Sequence, residues 1–258
     1  MSVVLLPAEE RAGLARLLDS RRAGDAMASY YALLHPAAKT RIWTHESAGG
    51  RADGFLVRAQ TGQDLFRPLV TLRAPDATSA AELLRAAFPS PSPAIFSIPE
   101  PLGIWVLPLL AAKSTGVIVL LRLNPVRLEP VVNIFVEQTT SPAGLPRVEI
   151  RRDGRLLAAA GVNWQSSGWA EIFVQTDPAA RERGYGKSVC AALCRQLVEE
   201  RREVLYAVEE NNSASIRLAR GLGFEETGER EISCTGSVWS AASGGGASGT
   251  TQSGGRHG

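Results

Sequence analysis

The chain has 258 residues, of which 45% are hydrophobic and 21% are charged, an ordinary composition for a soluble globular protein. A net charge of +2 gives no preference for nucleic acid or for acidic surfaces. No run reaches the about 18 apolar residues that a membrane helix needs. Three cysteines without a C-x-x-C pair, and three scattered histidines, argue against a disulfide framework and a metal site. We therefore expect a cytoplasmic, reduced protein without metal, nucleic-acid or membrane partners.

The first half of the chain, residues 1–125, is predicted to be an α+β domain. Helices are expected at residues 8–35, where His35-Pro36 ends the apolar pattern, and at 78–88. Short apolar runs between turn residues predict the strands of a first sheet. These strands are expected at residues 41–45, 54–59, 68–72, 94–98, 103–110 and 116–123.

The second domain is predicted at residues 126–240, after a linker that begins at Asn124-Pro125. An antiparallel meander is expected first, because Asp153-Gly154 is a strong hairpin signal. Its strands are predicted at 131–136, 147–151, 156–162 and 169–176, followed by a helix at 187–200, a strand at 204–208, a helix at 213–221 and strands at 224–232 and 238–239. Residues 241–258 are rich in Gly and Ser and are predicted to be a disordered tail.

A glycine-flanked turn, R-x-x-G-x-G from Arg181 to Gly186, joins the strand at 169–176 to the next helix. Glycine lets the backbone approach a ligand closely, and the first N–H groups of a helix are free to bind an anion. A diphosphate is therefore the expected ligand, with Arg181, Arg183 and Lys187 adding positive charge. An ordinary strand-to-helix connection is the alternative. The order of the glycines disfavours a dinucleotide fingerprint and excludes a Walker A loop.

Two motifs in this half together resemble a known family. Thr176-x-Pro178-x-x-Arg181-x-x-Gly184-Tyr185-Gly186 resembles motif A of the GNAT superfamily of acyl-CoA-dependent N-acetyltransferases. N-S-A-S at 212–215 and L-A-R-G-L-G-F at 218–224 resemble its motif B. The resemblance covers about residues 126–240. It implies an α/β (α+β) fold with a mixed, mostly antiparallel sheet flanked by helices, here preceded by the N-terminal α+β domain.

The resemblance implies acetyl-CoA as co-substrate and assigns it a binding site at the end of the strand at 169–176, in the loop and at motif B. The residues implied are Val174, Gln175, Thr176, Arg181, Glu182, Arg183, Gly184, Tyr185, Gly186, Lys187, Ser188 and Asn212. A backbone N–H near Val174 would be the oxyanion donor, a role worth about 3 kcal/mol when preorganised.

Glu171 and Asn212 are the candidate catalytic residues. Glu171 could act as general base through water if burial raises its pKa, and the alternative is an exposed strand glutamate. Strand alternation places it on the face opposite Ile172. Asn212 is near the pantetheine or orients a water in the family, or it is a plain helix cap. The tyrosine that many relatives use as general acid is replaced by Ala219, which leaves Tyr206 or Ser215 as substitutes.

The predicted function is transfer of an acetyl group from acetyl-CoA to a primary amine of a small molecule or peptide, by direct attack in a ternary complex. One alternative is a non-catalytic acyl-CoA-binding sensor or partner module, and another is a structural protein without such a site. The order of elements in the first half loosely echoes the second. It indicates either a degenerate copy of the same fold or an unrelated substrate or dimerisation module. A monomer or a homodimer is expected.

Overall fold

The computed structural model describes residues 2–62, 64–129, 131 and 135–239, so the predicted tail lies outside the described residues. The described strands are β1 Ser2–Leu5, β2 Thr40–Glu46, β3 Ala52–Ala59, β4 Leu69–Arg73, β5 Ala94–Pro99, β6 Leu110–Leu123, β7 Val136–Thr140, β8 Pro146–Arg152, β9 Arg155–Gln165, β10 Trp169–Thr176, β11 Glu203–Glu209 and β12 Phe224–Val238. The α-helices are α1 Ala23–Ser29, α2 Ala77–Ala87, α3 Gly103–Val106, α4 Tyr185–Glu199 and α5 Ser213–Arg220.

All of these strands form one sheet in the order β1-β2-β3-β4-β5-β12-β6-β11-β10-β9-β8-β7. Every neighbouring pair is antiparallel except β4 with β5 and β10 with β11. This mixed, mostly antiparallel sheet flanked by helices confirms the predicted fold class. Each half of the chain contributes an antiparallel meander, then a helix, then a parallel strand.

The last strand of each half pairs with the other half. Strand β6 lies between β12 and β11, and β12 lies between β5 and β6. Hydrogen bonds between strands therefore run without interruption across the predicted boundary at residue 125. The division of the chain into two domains stays a prediction about folding units, since the sheet itself is shared.

The prediction of one continuous helix at residues 8–35 is wrong. The segment forms a 3₁₀ helix at Ala8–Leu17, then α1, then a π-helical turn at Tyr30–Leu34. The buried guanidinium of Arg11 donates to the carbonyl oxygens of Tyr31, Ala32 and His35 at 2.6 to 2.9 Å. The two ends of the segment are thus tied to each other, which requires a fold-back rather than one straight helix.

Residues 103–110, predicted as a strand, form α3 and a 3₁₀ turn at Leu107–Leu109. A short apolar run fits a buried helix as well as a strand, and Pro108 cannot donate to a sheet. The strand expected at 131–136 begins only at Val136, and residues 132–134 lie outside the described part of the chain. The two last predicted strands are one continuous strand, β12.

Three apolar cores stabilise the sheet. One lies under α4, where Cys190, Leu193, Cys194 and Leu197 are buried as their spacing predicts. The second lies on the opposite face, under residues 8–34, and includes Trp164. The third lies under α2. Residues 8–34 thus cover strands from both halves of the chain.

Candidate active site

Strands β10 and β11 separate halfway along their length. They pair in parallel only from Trp169 with Glu203 to Glu171 with Leu205. Beyond that point β10 stays paired with β9, and β11 stays paired with β6. The stretch Val174–Thr176 therefore has no strand partner on its β11 side and borders a gap there.

The loop after β10 delivers the N-terminus of α4 to this gap. Gly184 is its N-terminal cap and has φ +77°, a conformation that glycine adopts without strain. The first hydrogen bond of the helix runs from Ser188 N to Gly184 O, at 3.0 Å. The N–H groups of Tyr185, Gly186 and Lys187 precede it and have no acceptor within the helix. They form an electropositive helix end suited to phosphate.

Gly186 is the point at which α4 touches β10. A Cβ at this position would lie 2.8 Å from Thr176 Oγ1 and 3.8 Å from Val174 Cγ1. A larger residue would push the helix away from the strand. Glycine therefore keeps the free N–H groups and the edge of the gap within reach of one ligand.

The charged residues of the loop are exposed, as a diphosphate site requires. Arg181 and Arg183 point away from the core, whereas Lys187 Nζ is paired with Glu129 Oε2 at 2.7 Å. Ser188 is buried, and its hydroxyl donates to Gly184 O at 3.1 Å, which ties the cap to the first turn. Of the residues predicted to bind acetyl-CoA, Glu182 and Gln175 are exposed and Tyr185 is partly buried against the core.

Glu171 lies at the point where the strands separate, on the face opposite Ile172. Its carboxylate accepts hydrogen bonds from Asn163 Nδ2, at 2.9 Å, and from the indole N–H of Trp164. Burial raises the pKa of Glu171 to about 7, the two hydrogen bonds counteract this rise, and the charge of Glu231 adds to it. The group is thus set to exchange protons near neutral pH, the property that a general base needs.

The sequence did not identify Asn163 and Trp164 as hydrogen-bond partners of Glu171. They reach Glu171 because the pairing of β9 with β10 shifts between Glu171 and Ile172, so that Asn163 is an extra residue on β9. Nothing in the local sequence marks this bulge. Alternation of Trp164 with its neighbours predicts only a buried position.

The N-terminal half also contributes to the surroundings of Glu171. Tyr30 stacks on Trp164 with ring centroids 5.4 Å apart and an interplanar angle of 21°. Tyr31 is buried, and its pKa is raised by burial first and by the charge of Glu171 second. The fold-back of residues 8–34 therefore closes the apolar side of the carboxylate.

Motif B forms the opposite side of the gap. Asn212 caps α5, since its Oδ1 accepts from Ser215 N at 3.1 Å, and its side chain is exposed. Tyr206, on β11, is buried and hydrogen-bonded to Ser215, and burial raises its pKa. The two substitutes considered for the general acid thus touch each other. Ala219 is fully buried in the core.

No group of His, Cys, Asp and Glu in the described residues is arranged to hold a metal ion. Among the same residues, no helix combines the length and apolar character needed to span a membrane. The described part of the chain has three free cysteines, all buried.

Comparison with known proteins agrees with this geometry. Residues 150–233 match the family model described as FR47-like protein. A tandem GNAT protein from the clavulanic acid biosynthesis pathway has a TM-score of 0.63 at 15% identity, over 92% of this chain and 98% of its own. A GCN5-related N-acetyltransferase from Sphaerobacter thermophilus also has a TM-score of 0.63, at 10% identity, over 92% and 95%.

A GNAT-family acetyltransferase from Novosphingobium aromaticivorans has a TM-score of 0.56 at 17% identity, over 70% of this chain and 87% of its own. No curated protein matches the sequence. At these identities the structural likeness establishes the fold, and the family-model match at residues 150–233 lies within the C-terminal half.

Proposed function

We propose that the C-terminal half of this chain is an acyltransferase domain of the GNAT superfamily, and that the protein transfers the acetyl group of acetyl-CoA to a primary amine. The observation that carries the proposal is the combination of a diphosphate-type helix end and a partly buried carboxylate at the two ends of one gap. Glu171 begins the gap, and Gly184 and Gly186 border its far end.

Three parts of the donor site suit the diphosphate, the pantetheine arm and the reacting thioester of acetyl-CoA. Free N–H groups at Tyr185 to Lys187, with exposed arginines beside them, suit the diphosphate. The unpaired edge of Val174–Thr176 suits the extended pantetheine arm, which carries amide groups that can pair like a strand. A backbone N–H near Val174 would stabilise the oxyanion.

The proposed reaction needs two proton transfers, one from the amine nitrogen and one to the thiolate sulfur. The carboxylate of Glu171 takes a proton from the amine nitrogen, directly or through water, as that nitrogen forms its bond to the acetyl carbon. The carbon–sulfur bond then breaks, and the thiolate takes up a proton. Tyr206 is the group that we propose to supply it, with Ser215 as its hydrogen-bond partner. Asn212 holds α5 at the edge of the site.

Thermal unfolding of the full chain with and without acetyl-CoA tests the donor site. Ligand at about 100 times its dissociation constant should stabilise the fold by about 2.7 kcal/mol. S-acetyl-N-acetylcysteamine, which has the thioester but no diphosphate, is the matched control and should give a much smaller shift. Equal shifts from both would contradict the role of the helix end. Release of free thiol across a panel of primary amines then tests transfer.

A non-catalytic acyl-CoA-binding module is the second candidate. Ala219, at the position of the family tyrosine, favours it, whereas the pKa of Glu171 near 7 favours catalysis. Acetyl-CoA binding without thiol release for any amine would support the module. Cysteines that are all free and buried in the described chain support a reducing, cytoplasmic location for either candidate.

We also propose that residues 1–125 are a degenerate copy of the same fold. Strands β4 and β5 are parallel and joined by α2, as β10 and β11 are joined by α4. Only residues 74–76 connect β4 to α2, and they include no glycine. Asp76 caps α2 by accepting from Ser79 N at 2.8 Å. A carboxylate at that helix end disfavours phosphate, so the copy is expected not to bind acetyl-CoA.

A further inference from the structure

A cavity of about 480 Å³ opens where β4 and β5 separate, in the N-terminal half. Its walls come from the segment that holds α1, from the ends of β3, β4 and β5, and from the turn within β12. Half of the lining residues are charged, and carboxylates outnumber arginines: Arg22, Asp25, Asp53, Arg73, Glu100, Glu229, Arg230 and Glu231.

Two of the lining arginines are already paired with lining carboxylates. Arg73 is 2.8 Å from Asp25 Oδ1 and also donates to Gly24 O at 2.6 Å. Arg22 is 2.5 Å from Glu229 Oε1, and the other oxygen of Glu229 accepts from Gly24 N at 2.7 Å. These pairs fix the walls of the cavity and leave little positive charge for a bound anion.

The remaining arginine and one further carboxylate are paired outside the cavity. Arg230 is 2.5 Å from Glu210 Oε1, which does not line it. Asp53 Oδ1 is 2.5 Å from the Nδ1 atom of the buried His45. The surplus of negative charge in the cavity therefore falls on Glu100 and Glu231.

Two lining carboxylates, Glu100 and Glu231, make no ion pair in the described residues; Glu100 is exposed, whereas Glu231 is buried. Glu231 is only 4% exposed, and its Oε2 accepts a hydrogen bond from Ser97. Burial raises its pKa, and the nearby charge of Arg73 offsets part of that rise. A carboxylate buried without a cation is costly, and a cationic ligand in the cavity would relieve that cost.

We propose that this cavity binds an organic ammonium group, with Glu231 as its anionic partner. The ammonium has two possible sources. It can be the distal ammonium of a diamine that is the acceptor in the proposed acetyl transfer. It can also belong to a separate ligand of the N-terminal half. The first source rests on the proposed function and the second does not.

Isothermal titration of the full chain with putrescine, without acetyl-CoA, tests the site directly. Butane-1,4-diol has the same length without charge and is the matched control ligand. We expect putrescine to bind and the diol not to bind. Glu231→Gln should weaken putrescine binding at least tenfold, whereas Glu225→Gln, an exposed glutamate on the same strand, should leave it unchanged. Equal binding of diol and diamine, or no binding of either, would overturn the proposal without any variant.

Steady-state acetylation separates the two sources. If the cavity holds the distal ammonium of the acceptor, Glu231→Gln raises the KM for putrescine at least tenfold and leaves the KM for n-butylamine unchanged. If the ligand is separate, both KM values stay as in the wild type while calorimetric binding is lost. Equal loss of activity with both amines, together with unchanged calorimetric binding, would overturn the proposal. Absence of all turnover would count against the proposed acetyl transfer and would leave the calorimetric result to decide.

Discussion

Replacement of Glu171 by glutamine tests the assignment of the general base, because it removes the titrating group and keeps the size of the side chain. The carboxylate accepts from Asn163 and from Trp164. Glutamine has one acceptor oxygen for these two donors, so we expect the free energy of unfolding to fall by about 1 kcal/mol at every pH. Two pH-dependent effects, one on stability and one on rate, should accompany this loss.

The effect on stability follows from the sign of the shift. Burial raises the pKa of Glu171 from its ordinary value of 4.5 to about 7 in the folded protein. The folded state therefore holds the proton more tightly than the unfolded state, and this contribution is lost as pH rises from about 4.5 to above 7. The shift corresponds to about 3 kcal/mol. Glutamine cannot titrate, so the difference in unfolding free energy between variant and wild type should move by about 3 kcal/mol in favour of the variant between pH 5 and pH 9.

The effect on rate has the opposite dependence on pH. The base acts when deprotonated, so kcat/KM of the wild type should fall about tenfold for each pH unit below 7. Glu171→Gln should lower kcat/KM by about 10² to 10⁴ at pH 8. The kcat/KM of this variant should not show the tenfold fall per pH unit below pH 7. The titration of the amine is common to both proteins and cancels in their ratio. Urea unfolding at pH 5 and pH 9, and kinetics from pH 5.5 to 9, provide the measurements.

A difference in unfolding free energy that stays constant from pH 5 to pH 9 would refute the raised pKa. A ratio of kcat/KM values that stays constant with pH would refute the role as base even if the stability result held. The two outcomes are independent, because the first concerns the protonation of Glu171 and the second concerns its use in the reaction.

Three further changes test the surroundings of the site. Trp164→Phe removes a donor to the Glu171 carboxylate and should raise the pKa of Glu171, which moves the acidic limb of kcat/KM up by about one pH unit. Gly186→Val places atoms within 3 Å of Thr176 Oγ1 and should weaken acetyl-CoA binding at least tenfold, measured by calorimetry. Arg11→Met leaves three buried carbonyl oxygens without their donor and should lower the unfolding free energy by about 3 kcal/mol in urea.

Each of these changes has a control. Trp105→Phe changes a tryptophan of α3, which packs against the core under α2, and should leave the pH profile unchanged. Gly168→Val meets no atom within 4 Å and should leave acetyl-CoA binding intact. Arg16→Met removes an exposed arginine from the same 3₁₀ helix as Arg11 and should cost under about 1 kcal/mol. A control that behaves like its test variant would contradict the corresponding contact.

Much of the C-terminal half could be predicted from the sequence because its signals are local. Asp153-Gly154 marks the hairpin between β8 and β9. The glycines of the loop mark the start of α4 within two residues, and the spacing of Cys190 to Leu197 gives its buried face. In the N-terminal half, the apolar run at 103–110 carried no such signal, since short apolar runs suit a helix and a strand equally.

The sequence by itself determined the family motifs, the glycine-flanked helix end and the candidate base, because each depends on residue types at short spacing. Only the tertiary structure decided what surrounds Glu171: the bulge that brings Asn163 to it, the stack of Tyr30 on Trp164, and the remote charge of Glu231. The pairing of β6 and β12, each with strands of the other half, was likewise decided only by the tertiary structure. The stack of Tyr30 on Trp164 and the pairing of β6 with β12 join residues more than a hundred positions apart, and contacts over such separations depend on the packing of the whole sheet rather than on any local pattern.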